Sequence, residues 1–110
     1  NRQDFQASTN TYAEDAVFMF PGLPVMHGRE AIKAFEEDGR EADPREMEIS
    51  EQVDEVIYFD EWSVMRGTGK FKIHNDDSST EESTFKWAML SKRNAAGNWE
   101  SVWDILNFDS

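Results

Sequence analysis

The feature that most constrains the fold is a series of long segments in which apolar and polar residues alternate, from residue 47 to residue 108. In the first segment the apolar residues fall at odd positions, with mostly polar residues between them: Met47, Ile49, Val53, Ile57 and Phe59. Successive side chains of a β-strand point to opposite faces. The spacing therefore predicts one long, half-buried strand with these five residues on the same face.

Three further strands are predicted after a tight connection at Asp60-Glu61. The first of them places Trp62, Val64, Arg66 and Thr68 on one face and Met65 and Phe71 on the other. Its glycines, Gly67 and Gly69, indicate a bulge or sharp bend, a device by which a sheet curls over a cavity. A polar loop at residues 75–80 and a turn at 95–98 separate this strand from predicted strands at 84–92 and 99–108.

The N-terminal third predicts helices and one short strand. Residues 4–12 are predicted to form the end of a helix, with Phe5 and Tyr12 as its apolar contacts. A short strand is predicted at residues 16–20 and ends at Pro21-Gly22. Ala31, Ile32 and Phe35 have helical spacing, with glycines at the two ends, Gly28 and Gly39. Helices followed by hairpin-linked strands predict a single α+β domain over residues 1–110, with helices packed on one face of a strongly curved antiparallel sheet.

The composition excludes some classes of partner. The chain carries 23 acidic against 11 basic residues and a net charge of −12, which disfavours nucleic acid and anionic membrane surfaces. It has no cysteine, so disulfides, thiolate metal sites and cysteine nucleophiles are absent. We find no apolar run of about 20 residues, the length a membrane span needs. The compartment is not determined, and the cytoplasm is slightly favoured.

Metal sites and nucleotide sites receive no support from the sequence. The two histidines, His27 and His74, are far apart in the chain, and neither has a partner at ligand spacing. The oxygen-rich stretch 75–82 lacks the glycine and glutamate spacing of a calcium loop. We therefore expect no metal and no cofactor.

One charged residue lies on a predicted apolar face. Val102, Asp104 and Leu106 share a face of the last strand. A carboxylate there must be paired or have a raised pKa, because an unpaired buried charge is costly. Arg66 is the candidate partner. Arg66 and Asp104 then either form a buried structural pair or constitute the polar end of a binding or catalytic site.

Aromatic, aliphatic and methionine side chains are predicted to surround Asp104 and Arg66. At strand spacing they fill a core by default, but in a curled sheet the same face lines a pocket. The candidate ligand-binding residues are Tyr12, Phe18, Phe20, Trp87, Met89, Val102 and Leu106.

Several blocks of the sequence resemble the SnoaL-like, ketosteroid-isomerase-like domains. These are Tyr12 to Phe18, Pro21-Gly22, Gly28 to Ile32, Arg66 to Thr68, Lys86-Trp87, Gly97 to Trp99 and Asp104 to Asp109. The resemblance runs from about residue 10 to the C-terminus. It implies the nuclear transport factor 2-like fold: a cone of curved sheet with helices packed on its concave face, often assembled as a homodimer through the sheet. It also implies a first helix that this chain largely lacks.

The same resemblance argues against the steroid isomerase reaction. By this comparison the catalytic base falls at Phe20 and the oxyanion-hole acid at about Met89, so neither position carries an acid. The oxyanion-hole tyrosine belongs to the largely missing first helix. The comparison places Arg66, Trp87, Met89, Val102, Asp104 and Leu106 on the pocket side.

Two hypotheses follow. In the first, the chain binds a small, largely apolar molecule in an enclosed pocket, and Asp104 with Arg66 supports cofactor-independent acid–base chemistry such as isomerisation, dehydration or hydrolysis. In the second, the chain is a noncatalytic homodimerisation or protein-interaction module whose cavity is filled by its own side chains.

Overall fold

The computed structural model describes residues 11–109. Within this range the chain forms one helix and six strands. In chain order these are β1 (Tyr12–Met19), β2 (Met26–His27), α1 (Arg29–Ala42), β3 (Met47–Phe59), β4 (Trp62–His74), β5 (Thr80–Arg93) and β6 (Trp99–Phe108). No helix within this range is both long enough and apolar enough to cross a membrane.

All six strands belong to one sheet with the order β2-β1-β6-β5-β4-β3. The strands from β3 to β6 are joined as consecutive antiparallel hairpins, which confirms the predicted α+β architecture. The pairing of β1 with β6 is parallel, and at this point the sheet differs from the wholly antiparallel one that the sequence predicts. This pairing brings the first and last described strands side by side.

The sheet has two different faces. The covered face is the one on which α1 packs, and one cross-strand row on it consists of Phe18, Asp104, Met89, Met65 and Val56. The open face is the opposite one, and its corresponding row consists of Val17, Trp103, Leu90, Val64 and Ile57. All the most deeply buried strand residues, such as Ala16 and Phe85, lie on the covered face.

Helix α1 packs on β1 through Ile32, which is completely buried, and Phe35. Ile32 joins Tyr12, Ala16 and Phe18 of β1 in one hydrophobic cluster. The helix starts after Gly28, as predicted, and Gly28 has a φ of 95° that favours glycine. It continues past Gly39 to Ala42, so the predicted end at Gly39 is wrong, and Ala31 is exposed rather than packed.

Tyr12 begins a strand, and the prediction that it ends a helix is wrong. It pairs with Ser101 of β6, and its side chain is 7% exposed. Tertiary pairing and burial therefore decide its conformation rather than the helical spacing from Phe5. The remainder of that predicted helix, residues 4–10 with Phe5, lies outside the described residues.

The predicted single apolar face of β3 is interrupted by a bulge at Asp54. Val53 pairs with Gly67 and Glu55 pairs with Arg66, so Asp54 is an extra residue in β3. An extra residue reverses the alternation beyond it. Met47, Ile49 and Val53 therefore share the covered face, whereas Ile57 and Phe59 lie on the open face. The strand is an edge strand and largely exposed, not half-buried as predicted.

The glycines of β4 provide space for aromatic rings on the covered face. A Cβ atom at Gly69 would lie 2.2 Å from the Phe85 ring, and one at Gly67 would lie 2.9 Å from the Trp87 ring and 1.9 Å from the Gln52 carbonyl oxygen. Both aromatic residues are cross-strand neighbours of the glycine they cover. Glycine is thus required here for close approach of ring and backbone.

Candidate functional site

A hydrogen bond joins the first and last strands on the covered face. The Tyr12 hydroxyl donates to Asp104 Oδ2 over 2.6 Å. Both side chains project from the face on which α1 packs, Tyr12 beside the buried Ala16 and Asp104 beside the buried Phe18. Asp104 thus lies on the apolar side of the last strand, as the alternation predicts, but its partner is a phenol.

The surroundings change the pKa of both members of this pair. Burial raises the pKa of Asp104 above its ordinary value, and the hydrogen bond from Tyr12 opposes that rise without cancelling it. Burial, followed by the negative charge of Asp104, raises the pKa of Tyr12 far above the ordinary phenol value. Tyr12 therefore remains a neutral hydrogen-bond donor, and Asp104 retains its proton to a higher pH than a solvated carboxyl.

Glu51 is a second carboxylate on the covered face. It is the cross-strand neighbour of Gly69 at the edge of the sheet, and much of its side chain is exposed. Loss of solvation and then the negative charge of Asp104 raise the pKa of Glu51. Glu51 has no distinguishing signal in the sequence, because the acidic residues of β3 look alike until the pairing register is known.

Most of the predicted ligand-binding residues do lie on the covered face near Asp104. Phe18 and Met89 are its direct cross-strand neighbours, and Trp87 pairs with Leu106 in the adjacent row. Tyr12 is its hydrogen-bond partner. Val102 is the exception, since it is the extra residue at a bulge between β5 and β6 and has no cross-strand partner on β5.

Arg66 is not near Asp104, so the predicted Arg66–Asp104 pair is wrong. Arg66 lies on the open face, in the row with Ala88 and Glu55, and its side chain is 64% exposed. Its Nε donates to Glu55 Oε1 over 2.9 Å. The prediction that Arg66 shares a face with Trp62 and Val64 is confirmed, and the pairing of β4 with β5 and of β5 with β6 places that face opposite to Asp104.

Arg29 anchors the backbone beside the Tyr12–Asp104 pair. Its Nε and Nη2 donate to the Tyr12 carbonyl oxygen over 3.0 and 2.8 Å. Its Nη2 also lies 3.8 Å from Glu100 Oε2. The first turn of α1 is thereby tied to the start of β1, and this fixes Tyr12 relative to Asp104. No local pattern in the sequence predicts this role of Arg29, because the role depends on how α1 packs.

Aromatic rings in contact form a series from Phe35 of α1 to Phe85 of β5. Phe20 contacts Phe18, Phe35 and Phe108 with ring centroids 5.9, 5.2 and 5.8 Å apart. Phe71 continues the series to Phe108 and Phe85, at 5.8 and 4.8 Å. Phe20 therefore has three aromatic neighbours, which is the environment of a core residue.

Two of the surface depressions, with volumes of about 480 and 510 Å³, lie away from Asp104. The first is open and includes Glu51, Gly69 and Phe85, and the second is at the start of α1 around His27 and Arg29. Asp104 lines neither of them. The enclosed pocket stays a prediction.

No protein-family model matches this chain, and no curated protein matches it. Solved structures do match. A ketosteroid isomerase-like protein from Erwinia carotovora atroseptica superposes with a TM-score of 0.83 at 20% identity, over 99% of this chain and 84% of that one. An NTF2-like protein with a cystatin-like fold from Novosphingobium aromaticivorans gives 0.86 at 16% identity, over 97% and 70%.

This chain has the nuclear transport factor 2-like fold. A protein from Catenulispora acidiphila, solved in complex with S-DNPA, also shares it, with a TM-score of 0.79, 18% identity and coverage of 97% of this chain and 80% of that one. At these identities the nuclear transport factor 2-like likeness concerns the fold. The curved sheet and its packing against a helix are therefore established, and the chemistry must be argued from this chain's own residues.

Proposed function

We propose that this chain binds a small, largely apolar molecule on the covered face of its sheet, with the Tyr12–Asp104 pair as the polar end of the site. The observation that carries the proposal is the 2.6 Å hydrogen bond between Tyr12 and Asp104 beside the apolar cluster that contains Ala16, Phe18 and Ile32. Apolar walls with a few convergent polar groups are typical of small-molecule sites. The S-DNPA complex of the Catenulispora protein supports this, since it has the same fold.

The pair suits acid–base chemistry on a compact substrate. With a raised pKa, Asp104 is available as a proton donor at a higher pH than an ordinary carboxyl and as a base above that pH. Tyr12 holds the carboxyl in place by donating its one hydroxyl proton to Asp104 Oδ2. An isomerisation, dehydration or hydrolysis that moves one proton is the class of reaction that such a pair serves without a cofactor.

The standard ketosteroid isomerase mechanism is not what we propose. At the position that the resemblance assigns to the base, Phe20 packs against other aromatic rings. At the position assigned to the second acid, Met89 accepts a hydrogen bond from the Ser101 hydroxyl over 2.9 Å. Neither side chain transfers protons, so Asp104 is the proposed proton-transfer group.

A ligand screen by thermal shift tests the proposal, with steroid-like, terpenoid and aromatic acid compounds as probes. We expect at least one class to raise the melting temperature and Asp104→Asn to change that shift. Arg66→Ala is the matched control, because it removes a charge from the open face and should leave the shift unaltered. If no compound raises the melting temperature, or if Asp104→Asn leaves every shift unchanged, the proposal is wrong.

A second candidate is homodimerisation through the open face, with or without a ligand. Large apolar side chains are exposed there, among them Trp103 at 54%, Ile57 at 51% and Ile105 at 44%. Contiguous exposed apolar surface is typical of protein–protein contacts. Basic side chains of β4 and β5 also lie on this face, which reduces the repulsion between two acidic copies: Arg66, Lys70, Lys72, Lys86 and Lys92.

Light scattering tests the second candidate. A dimer gives about twice the 12.7 kDa chain mass. Trp103→Glu should produce a folded monomer, and Val25→Glu, at an exposed apolar residue before β2, should not. A monomeric wild-type protein at micromolar concentration would contradict this candidate and leave the ligand proposal unaffected.

A further inference from the structure

Three side chains with metal-binding atoms converge at one end of the β3–β4 hairpin, away from the Tyr12–Asp104 pair. They are Glu46, which directly precedes β3, Glu48 on β3 and His74 at the end of β4. One oxygen of each carboxylate and a ring nitrogen of His74 all lie within 4.8 Å of one another. The 26-residue separation of Glu48 and His74 hides this cluster in the sequence.

The backbone holds these residues in a fixed register. The His74 amide donates to the Glu46 carbonyl oxygen over 2.9 Å, and the next cross-strand pair is Met47 with Ile73. Glu46 and Glu48 are two positions apart on an extended chain, so both side chains lie on the same face. His74 lies on that face from the neighbouring strand. Its Nε2 already contacts Glu48 Oε2, so the ring is oriented toward the carboxylates.

The donor set matches the preferences of borderline divalent cations. Zn²⁺ binds imidazole nitrogen and carboxylate oxygen at about 2.0–2.2 Å, which places neighbouring donors roughly 3–3.5 Å apart. The donor atoms of Glu46, Glu48 and His74 lie within 4.8 Å of one another. Small side-chain rotations are enough to bring them to the separation of roughly 3–3.5 Å that Zn²⁺ requires. Three protein donors leave a coordination position for water. Hard cations such as Mg²⁺ prefer oxygen donors and gain little from the imidazole.

Two cationic side chains, Arg45 and Lys72, neighbour the cluster in the chain or across the strands. Arg45, adjacent to Glu46 in the chain, donates to Asp43, Asn75 and Glu81. Lys72 is the cross-strand neighbour of Glu48, so its positive charge competes with a bound metal. The net charge of −12 favours cations over the surface as a whole, so specificity must come from His74.

We propose that Glu46, Glu48 and His74 form a binding site for a borderline divalent cation such as Zn²⁺, which closes the end of the β3–β4 hairpin. Because β3 is the edge strand, a metal at this point joins the edge strand to the rest of the sheet. The site is independent of the proposed ligand site, which lies on the covered face.

Isothermal titration of metal-free protein with ZnCl₂ tests the site. We expect one equivalent of Zn²⁺ to bind and the melting temperature to rise, with MgCl₂ far weaker. Loss of a residue that only hydrogen-bonds to a metal ligand typically weakens metal binding by roughly 10- to 100-fold. Because His74 is proposed as a direct ligand, His74→Gln should weaken Zn²⁺ binding by more than that. Glu46→Gln and Glu48→Gln should each weaken it too. His27→Gln is the matched control, since His27 is exposed on β2 and should have no effect.

X-ray absorption at the zinc edge gives a second readout that does not depend on the stability of a variant. One imidazole and two carboxylates should appear in the wild-type spectrum. Several weak equivalents that bind equally well to the His74→Gln protein would mean that the acidic surface alone attracts the ion. That result, or a zinc spectrum without nitrogen ligands, overturns the proposal.

Discussion

Tyr12 and Asp104 are 92 positions apart, yet their side chains form a hydrogen bond of 2.6 Å on the covered face. The parallel pairing of β1 with β6 makes this contact possible, because it places the start of the first strand beside the last strand. Arg29 also donates two hydrogen bonds to the Tyr12 carbonyl oxygen. The proposed ligand site thus depends on a tie between the two strands that are farthest apart in the described sequence.

Removal of the Tyr12 hydroxyl should raise the pKa of Asp104 further. The hydrogen bond is the contact that lowers this pKa, so Tyr12→Phe leaves burial unopposed. The ring and its contact with Phe18 are retained. Carboxyl NMR titration measures the pKa directly. Tyr58→Phe, at a tyrosine that is 66% exposed, is the control and should leave the Asp104 titration unchanged.

The Tyr12–Asp104 bond should also contribute to stability. A hydrogen bond to a charged group is worth about 1.5–3 kcal/mol, and Tyr12→Phe should cost an amount in or below this range at neutral pH. In an Asp104→Asn background the cost should be smaller, since the acceptor is then neutral. Denaturant unfolding of the four proteins gives the coupling energy. Equal costs in both backgrounds would mean that the charge of Asp104 plays no part.

Asp104 should make the protein less stable as the pH rises. Its folded pKa is raised above the ordinary value of 3.8, so between those two values the folded state holds a proton that the unfolded state has lost. The free energy of unfolding therefore falls as the pH rises from the ordinary to the raised pKa, and is constant above it. Asp104→Asn should flatten this dependence and increase stability at pH 7.

Glu51 provides the comparison for that experiment. Its pKa is also raised, by loss of solvation and by Asp104, so Glu51→Gln should remove a smaller part of the same pH dependence. Because the two carboxylates interact, Asp104→Asn should in turn lower the pKa of Glu51. Thermal unfolding between pH 4 and 8 measures the pH dependence of stability, and carboxyl NMR titration measures the pKa of Glu51. A profile of Asp104→Asn parallel to that of the wild type would contradict the raised pKa.

Arg66→Ala should have little effect on stability. The Arg66–Glu55 pair is exposed on both sides, and exposed ion pairs contribute about 0–1 kcal/mol. A buried Arg66–Asp104 pair would instead cost roughly 3–5 kcal/mol when one partner is removed. Denaturant unfolding of Arg66→Ala therefore distinguishes the observed pairing from the one that the sequence predicts. A loss above about 2 kcal/mol would indicate a further role for Arg66.

The sequence predicts those parts of the fold that local patterns determine. Alternation identifies the long strands and places Asp104 on an apolar face, because each residue's face depends only on its neighbours along the strand. Alternation cannot reveal the extra residue at Asp54, which reverses the faces of Ile57 and Phe59. It also cannot reveal which strands are adjacent.

Partners across the sheet require the strand order, and that is where the predicted site differs from the observed one. The charge of Arg66 makes it the predicted partner of Asp104, but the pairing register places the two residues on opposite faces of the sheet. The local sequence predicts a helix at Tyr12, because the parallel β1–β6 pairing has no local signature. His74 has no potential co-ligand at a recognisable spacing in the sequence. Glu46 and Glu48 lie near it only because of the β3–β4 register.

Gly69 should be intolerant of a side chain, because the completely buried Phe85 ring lies where a Cβ atom would be. Phe71 is 4.8 Å from that ring, so the ring has little room to move. Overpacking of this kind costs about 1–3 kcal/mol, and we expect Gly69→Ala to lose that amount in denaturant unfolding. Gly39→Ala is the matched control. A Cβ there meets nothing within 4 Å and Gly39 lies inside α1, so this change should stabilise the protein by about 0.8–1 kcal/mol. If both variants gained stability, Phe85 would not be packed on Gly69 in solution.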